Sequence, residues 1–324
     1  MIDRINIKNF RSIRDATITG MPRIIGIWGP NGSGKSNLLQ AVYFAHNRDM
    51  APLHIRSQWD ILTKTLPPNA TGRVHIKMGN EYEWTTEFNG ENLYKTTGTP
   101  PKQCIYLPPW RHISDKDTDL SEEFTFRYIS DGRMTQNFIH SEITRLSTAA
   151  MGGDRKAHEI YDYITNWAKS VGLGRISSRL RTKTTTTTYD DPIYGEMDVP
   201  DAGFGGRSAL SIIVAVFLTK DKVILIEEPE ISLHPAAQAA MAEWLVYGAE
   251  RQAHQIIFTS HSEYLAKRFA KMLKEKKVDS RIFKAMLAKK TAEEGTTYQY
   301  IEPESLIKNL EESRPIIPQL HERE

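Results

Sequence analysis

Gly29-Pro30-Asn31-Gly32-Ser33-Gly34-Lys35-Ser36 fits G-x-x-x-x-G-K-[ST], the pattern of a glycine-rich loop that wraps a chain of phosphates. The pattern has this meaning only between a strand and a helix, and both neighbours read that way. Arg23-Ile24-Ile25-Gly26-Ile27-Trp28 is a short apolar run of the kind that buried strands show. Asn37 to Asn47 reads as a helix, with Leu38, Leu39, Val42 and Phe44 for packing. Glycines let backbone N–H groups turn inward around phosphate oxygens, and a helix N-terminus adds partial positive charge. The stretch therefore predicts a nucleoside triphosphate site built from Asn31, Gly32, Ser33, Gly34, Lys35, Ser36 and Asn37. In it Lys35 neutralises the β- and γ-phosphates and the Ser36 hydroxyl ligates Mg²⁺.

A second apolar run, Val223-Ile224-Leu225-Ile226, ends in Glu227-Glu228. A carboxylate at such a strand end, beside a phosphate loop, holds Mg²⁺, which assigns Glu227 to the metal. Glu228 then stands where a general base would take a proton from an attacking water. Gln255-Ile256-Ile257-Phe258 is a third core strand, and it leads into Thr259-Ser260-His261-Ser262. His261 is placed to hydrogen-bond a γ-phosphate. Two solvated acids at a strand end, and a histidine that only neighbours a helix cap, are the plain alternatives. Together these groups gather at the carboxyl ends of parallel strands, where open α/β sheets bind ligands.

Composition sets the frame. The chain has 324 residues, 40% of them hydrophobic and 25% charged, which suits one large α/β domain or two smaller ones. Cys104 is the single cysteine, so internal disulfides and cysteine-rich metal sites are excluded. The net charge of +2 is too small for bulk attraction to nucleic acid, so any such contact must come from local patches. No run approaches the roughly 18 apolar residues of a membrane span, and no signal-peptide core opens the chain. The expectation is a cytoplasmic protein with no membrane contact.

Along the chain, Ile2, Ile5, Ile7 and Phe10 mark an opening strand, and Ala16 to Ile18 a second. Two more strands are expected between Gly72 and Thr97, where Val74, Ile76 and Met78 and then Tyr82, Trp84, Thr86 and Phe88 alternate, with a turn at Asn89-Gly90. Gln103 to Leu107 is a core strand. Helices follow near Met134–Leu146 and Ala157–Ser170, separated by Met151-Gly152-Gly153. The stretch from Arg175 to Tyr189, with its run Thr184 to Thr188, favours strand, and Asp190 to Asp201 reads as an acidic loop. An apolar helix spans Ala209 to Leu218. Arg281 to Lys289 and Thr296 to Ile301 form a late hairpin, and the last twenty or so residues carry little pattern.

These motifs resemble the ABC-type ATPases of the RecF/SMC/OLD kind, often grouped as AAA-family ATPases. The resemblance opens at Ile5-x-Ile7-x-Asn9-Phe10-Arg11-Ser12 and continues through Gly29 to Asn37. It returns in Glu227-Glu228-Pro229-Glu230-Ile231-Ser232-Leu233-His234-Pro235, similar to that group's E-E-P-E-x-x-L-H-P box, and closes at Thr259-Ser260-His261-Ser262. It implies an α/β, ABC-type P-loop fold: a mixed sheet with an antiparallel β subdomain and a helical insert. The implied segments are 1–111 and 201–302 as the two halves of an ATPase head, 112–200 as an insert and 303–324 as a tail. The implied reaction is ATP hydrolysis with Mg²⁺, with Lys35, Glu228 and His261 catalytic.

By the same resemblance, Gly203-Phe204-Gly205-Gly206-Arg207-Ser208 takes the place of the signature loop that closes over the γ-phosphate held by a second copy. Gly205, Gly206 and Ser208 are its candidate contacts; because Phe204 stands where that group has serine, backbone donors, Arg207 or Ser208 are left to make the contact. A glycine-rich turn that serves only helix entry is the alternative. Arg11 and Ser12 fall near the nucleotide, while a surface role explains Arg11 nearly as well. No Q-loop glutamine follows the Cys104–Leu107 strand, where Arg111 is a substitute candidate.

The insert shows no sustained heptads, so a compact head is expected rather than a long tether. The stretch after the late hairpin is too short for the nuclease domain of OLD-type proteins, so a separate effector or nuclease is expected. The implied biology is the ATPase subunit of an anti-phage defence or DNA-processing system, working as a homodimer or higher even-numbered assembly. The rivals are a DNA-repair ATPase that binds DNA directly and a slow scaffold ordered by ATP. Arg175, Arg179, Arg181 and Lys183 share odd positions and could follow a phosphate backbone, or simply charge an edge strand. Lys267, Arg268, Lys271, Lys274, Lys276 and Lys277 form a second basic cluster, whose default reading is a solvated helix face.

Overall fold

The computed structural model describes residues 1–46, 70–89, 94–109, 112–113, 133–134, 136–181 and 184–317. β1 (Ile2–Phe10), β2 (Ile13–Thr19) and β3 (Ile24–Trp28) lead into α1 (Lys35–His46). β4 (Gly72–Met78), β5 (Tyr82–Phe88), β6 (Tyr94–Thr97) and β7 (Cys104–Leu107) follow. After the short pair β8 (His112–Ile113) and β9 (Arg133–Met134) come α2 (Gln136–Met151) and α3 (Arg155–Ser170), then β10 (Ile176–Arg181), β11 (Thr184–Asp191) and β12 (Gly195–Asp198). The chain continues as α4 (Phe204–Leu218), β13 (Val223–Glu227), α5 (Pro235–Arg251), β14 (Gln255–Thr259), α6 (Glu263–Lys274), β15 (Phe283–Thr291), β16 (Gly295–Ile301) and α7 (Pro303–Glu311).

One eleven-stranded sheet carries the architecture, in the order β6-β5-β4-β1-β2-β16-β15-β3-β14-β13-β7. From β15 to β7 the strands run parallel, and from β6 to β15 they run antiparallel. This is the mixed α/β sheet expected from the sequence. β3, β13 and β14 are buried at every residue, because helices cover both of their faces. Alternate residues serve opposite cores. Ile25, Ile27, Leu225 and Ile257 join Leu38, Leu39 and Val42 of α1, whereas Ile24, Trp28, Ile226 and Phe258 join Leu210, Leu245 and Phe269.

Gly26 shows how tightly β3 is packed. A Cβ there would lie 2.2 Å from the Trp28 ring and 2.6 Å from Phe258, so the missing side chain is what lets the indole fold back over the strand. Trp28 meets Phe258 edge-on with ring centroids 5.4 Å apart, and its indole N–H donates to the Ser262 carbonyl at 3.2 Å.

Between β9 and β10, Asp154 caps α3 by accepting from the backbone of Lys156 and Ala157. Ala157, Ile160, Ile164, Trp167 and Ala168 form the buried face of α3 and join the core shared by α4 and α5. Among the described residues no helix is long and apolar enough to cross a membrane.

Several elements differ from the sequence expectation. A third antiparallel strand, β6, pairs with β5, and Gly90 of the expected turn lies outside the described residues. The acidic stretch is not a loop: the Asp191 carboxylate accepts from the backbone of Ile193 and Tyr194, closing a hairpin between β11 and β12. Of the four basic residues only Arg179 and Arg181 fall within β10; Arg175 precedes the strand and Lys183 lies outside the described residues. The tail contains α7, anchored by buried Leu306, with Ile316 and Ile317 buried beyond it. The basic cluster of α6 is largely paired, with Arg268 on Glu243, Lys274 on Glu311, and Lys271 and Lys277 on Glu275.

Candidate nucleotide site

Lys35 opens α1 and Ser36 follows it, so the end of the glycine-rich loop stands on the helix's first turn. Lys35 Nζ donates to the backbone carbonyls of Gly29 (2.8 Å) and Pro30 (2.9 Å). An ammonium group has a third N–H beyond these two. Burial lowers the Lys35 amine to about 8, against the opposing charges of Glu228, Glu230 and Glu227.

Ser36 Oγ donates to Glu227 Oε2 at 2.9 Å. The other carboxylate oxygen accepts from Tyr106 Oη and, at 3.3 Å, from Gln40 Nε2. Burial pushes the Glu227 carboxyl above the usual range, and the donors Tyr106, Ser36 and Gln40 pull it back. The Arg11 guanidinium donates to Gln40 Oε1 and, at 3.3 Å, to Asn37 Oδ1. Asn37 in turn donates to Ser12 Oγ at 2.6 Å. The late hairpin braces the loop from the other side, with Thr296 Oγ1 donating to the Ser33 carbonyl (3.1 Å) and Tyr298 Oη to the Gly34 carbonyl (2.8 Å).

A cleft of about 1010 Å³ opens above the loop, within the size range of small-molecule sites. Arg11, Asn31, Gly32, Gly34, Lys35, Ser36 and Asn37 line one side, Glu228 and His261 another. Arg14, Lys290 and Thr291 extend it toward the tip of the β15–β16 hairpin. Glu228 adopts a left-handed backbone with φ of 47°, unusual for a residue with a side chain, and its N–H donates to the Thr259 carbonyl at 3.0 Å. Burial and then the Lys35 charge hold the His261 imidazole below its ordinary value, so the ring is neutral near pH 7.

The residues fit a Mg²⁺–triphosphate. Gly32 lines the cleft without filling it, since even a Cβ there would meet nothing within 4 Å. Ser36 and Glu227 bring two hard oxygens together, the donor type that Mg²⁺ takes.

Most of the sequence candidates thus converge here. Ser33 is buried under the loop rather than on the cleft wall. Gly205, Gly206 and Ser208 are not brought to this loop. Gly205 and Gly206 lie in the first turn of α4 and Ser208 opens the second; the helix begins at Phe204 with Gly203 as its cap, not at Ala209. The Ser208 side chain is enclosed, at 1% exposure, and Gly206 packs on Leu173. Arg111 lies outside the described residues. Sequence reading missed Gln40, Tyr106, Thr296 and Tyr298. Gln40 had a signal, since it stands one helical turn after Ser36 and so on the same face.

Two family models match the chain. The model described as "AAA domain, putative AbiEii toxin, Type IV TA system" matches residues 93–267, and that described as "RecF/RecN/SMC N terminal domain" matches residues 1–96. The OLD nuclease of Thermus scotoductus is 23% identical over 82% of this chain and 60% of its own length. The DNA replication and repair protein RecF of Psychromonas ingrahamii is 49% identical over 43 residues, 13% of this chain and 12% of that protein. An ATP/GTP phosphatase of Helicobacter pylori is 40% identical over 52 residues, 16% of this chain and 14% of that protein. The chain therefore spans less than two thirds of each of these relatives.

Among solved structures, the SMC head domain of Pyrococcus furiosus, bound to the C-terminal domain of ScpA, superposes with a TM-score of 0.61. It is 13% identical and the match covers 96% of this chain and 99% of that one. An SMC head bound to the winged-helix domain of ScpA gives 0.57 at 15% identity, covering 95% and 99%. At such identities the likeness speaks for the fold. With a family model over more than half its length and the matching motifs in one cleft, the chain belongs to the AAA-domain family and is an ABC-type ATPase of the RecF, SMC and OLD kind.

Proposed function

We propose that this chain binds ATP in the cleft above Lys35, hydrolyses it, and uses the cycle to pair with and part from a second copy. The observation that carries the reading is the Ser36–Glu227 contact under a rim that presents Glu228 and His261. Lys35 directs its remaining N–H to the β- and γ-phosphates, while loop N–H groups surround them. Ser36 Oγ and Glu227 would hold Mg²⁺, whose charge would offset that of the phosphates. Glu228 accepts a proton from water as the water oxygen attacks the γ-phosphorus and the bond to the β-phosphate oxygen breaks, giving ADP and phosphate. The neutral His261 ring donates one N–H to the γ-phosphate. Its lowered basicity favours this single-donor form at pH 7.

Pairing places the first turn of α4, with Gly205 and Gly206, over the γ-phosphate of the second copy through backbone N–H groups. The enclosed Ser208 hydroxyl limits its share in that contact. Loss of the bridging phosphate lets the copies separate. The wider role is that of the ATPase subunit of an anti-phage defence or DNA-processing assembly with a separate effector; the likeness to a DNA replication and repair protein and to an OLD nuclease supports the DNA-processing part of that reading. Direct DNA binding has less support, because most of the α6 cations already face carboxylates.

The test is phosphate release and sedimentation with ATP, for the wild type and Glu228→Gln. The variant should bind ATP, lose at least about 100-fold in turnover and sediment as a dimer. A fully active Glu228→Gln chain contradicts the base assignment. Strong stimulation of the wild type by duplex DNA favours the DNA-binding rival.

A further inference from the structure

Glu230 lies two residues beyond the proposed base and is 8% exposed. One of its carboxylate oxygens collects three donors from the turn that follows β14: Ser260 Oγ at 2.8 Å, His261 N at 2.7 Å and Ser262 N at 3.1 Å. Its other oxygen is buried without a hydrogen-bond partner among the described residues. Ser262 passes the connection on, donating from Oγ to Gln238 of α5 at 2.6 Å while capping the N–H of Leu265 at 3.0 Å. Burying a carboxylate is costly unless charge-assisted hydrogen bonds offset the lost hydration. A neutral residue would close this turn more cheaply, so the acid needs a reason beyond packing.

The geometry supplies one. Glu228 and His261 face the same cleft from neighbouring parallel strands, and neither strand by itself sets the distance between them. Glu228 N–H already donates to the Thr259 carbonyl. The Glu230 carboxylate adds the second tie, directly on the backbone of His261. We infer that Glu230 is a positioning residue: it fixes the His261 backbone relative to Glu228, so that base and histidine address the γ-phosphate as one rigid unit. It touches no substrate. The inference rests on the ATPase reading of the cleft.

The test uses the full chain with Glu230→Gln, which keeps the volume and one acceptor oxygen, and Glu230→Ala, which keeps neither. The turnover number should fall in the order wild type, Gln, Ala, reaching about tenfold loss for Ala, while KM for ATP stays within about twofold. In a His261→Ala background neither substitution should cost more than about twofold, because the residue it positions is gone. Losses that multiply across the two sites, a loss confined to KM, or full activity of both variants would each overturn the positioning role. If Glu230→Ala does not fold, Ser260→Ala removes one donor and takes its place in the same cycle. A second readout is independent of turnover: the imidazole NMR signals of His261 in nucleotide-free protein should shift in Glu230→Gln. Unshifted signals overturn the inference, even in an active enzyme. A wild type that releases no phosphate removes the ATPase reading, and the NMR result still decides the geometry.

Discussion

Ser36 Oγ and Glu227 Oε2 stand 2.9 Å apart, joining the last residue of the glycine-rich loop to the last residue of β13. Since burial raises the Glu227 carboxyl, the ionised form is disfavoured in the folded chain. The sign follows. A carboxyl raised on folding costs stability as pH climbs through the ordinary carboxylate range and beyond, so a neutral isostere relieves that cost at pH 7. Glu227→Gln should therefore raise the melting temperature of the nucleotide-free chain by a few degrees while abolishing Mg²⁺-dependent phosphate release. Thermal melts and phosphate release on one preparation check both halves.

In the proposed function Lys35 meets phosphate as the ammonium, a form that burial makes easier to lose by lowering the amine to about 8. ATP affinity should fall as pH rises through 8, the protonated fraction being lost, and plateau below about pH 7. Lys35→Ala should weaken ATP at least about 100-fold and flatten this pH dependence. Titrations of a fluorescent ATP analogue from pH 6.5 to 9.5 measure both.

Tyr106 and Gln40 orient Glu227 without facing the cleft. Tyr106→Phe removes one hydroxyl at constant shape, so the fold should persist while the Mg²⁺ concentration for half-maximal activity rises about tenfold or more. A Mg²⁺ titration of activity at saturating ATP is the measurement.

Gly26→Ala tests the packing of β3. A methyl 2.2 Å from the Trp28 ring forces the indole or the strand to move, at a cost of about 1–3 kcal/mol or more. Urea unfolding monitored by tryptophan fluorescence should show the lower midpoint.

Much of the site was legible because its parts are local. The phosphate loop, the acid pair and His261 each follow a continuous apolar strand, and a strand end fixes where the next residues point. Gln40, Tyr106 and Glu230 were not legible as partners, since their meaning lies in contacts between segments far apart in the chain. β6 has only four residues and no long alternation to announce it. The acidic hairpin was hidden because its turn depends on the Asp191 side chain rather than on a glycine pair. α4 started early because Gly205 and Gly206, poor helix formers by propensity, are held there by packing on Ser232 and Leu173.

That packing leaves almost no slack. A Cβ at position 205 would sit 2.3 Å from the Ser232 carbonyl oxygen, so two main chains touch with nothing between them. The front edge of α4 and the bend at Ser232 therefore abut main chain to main chain, and any side chain at 205 would wedge them apart.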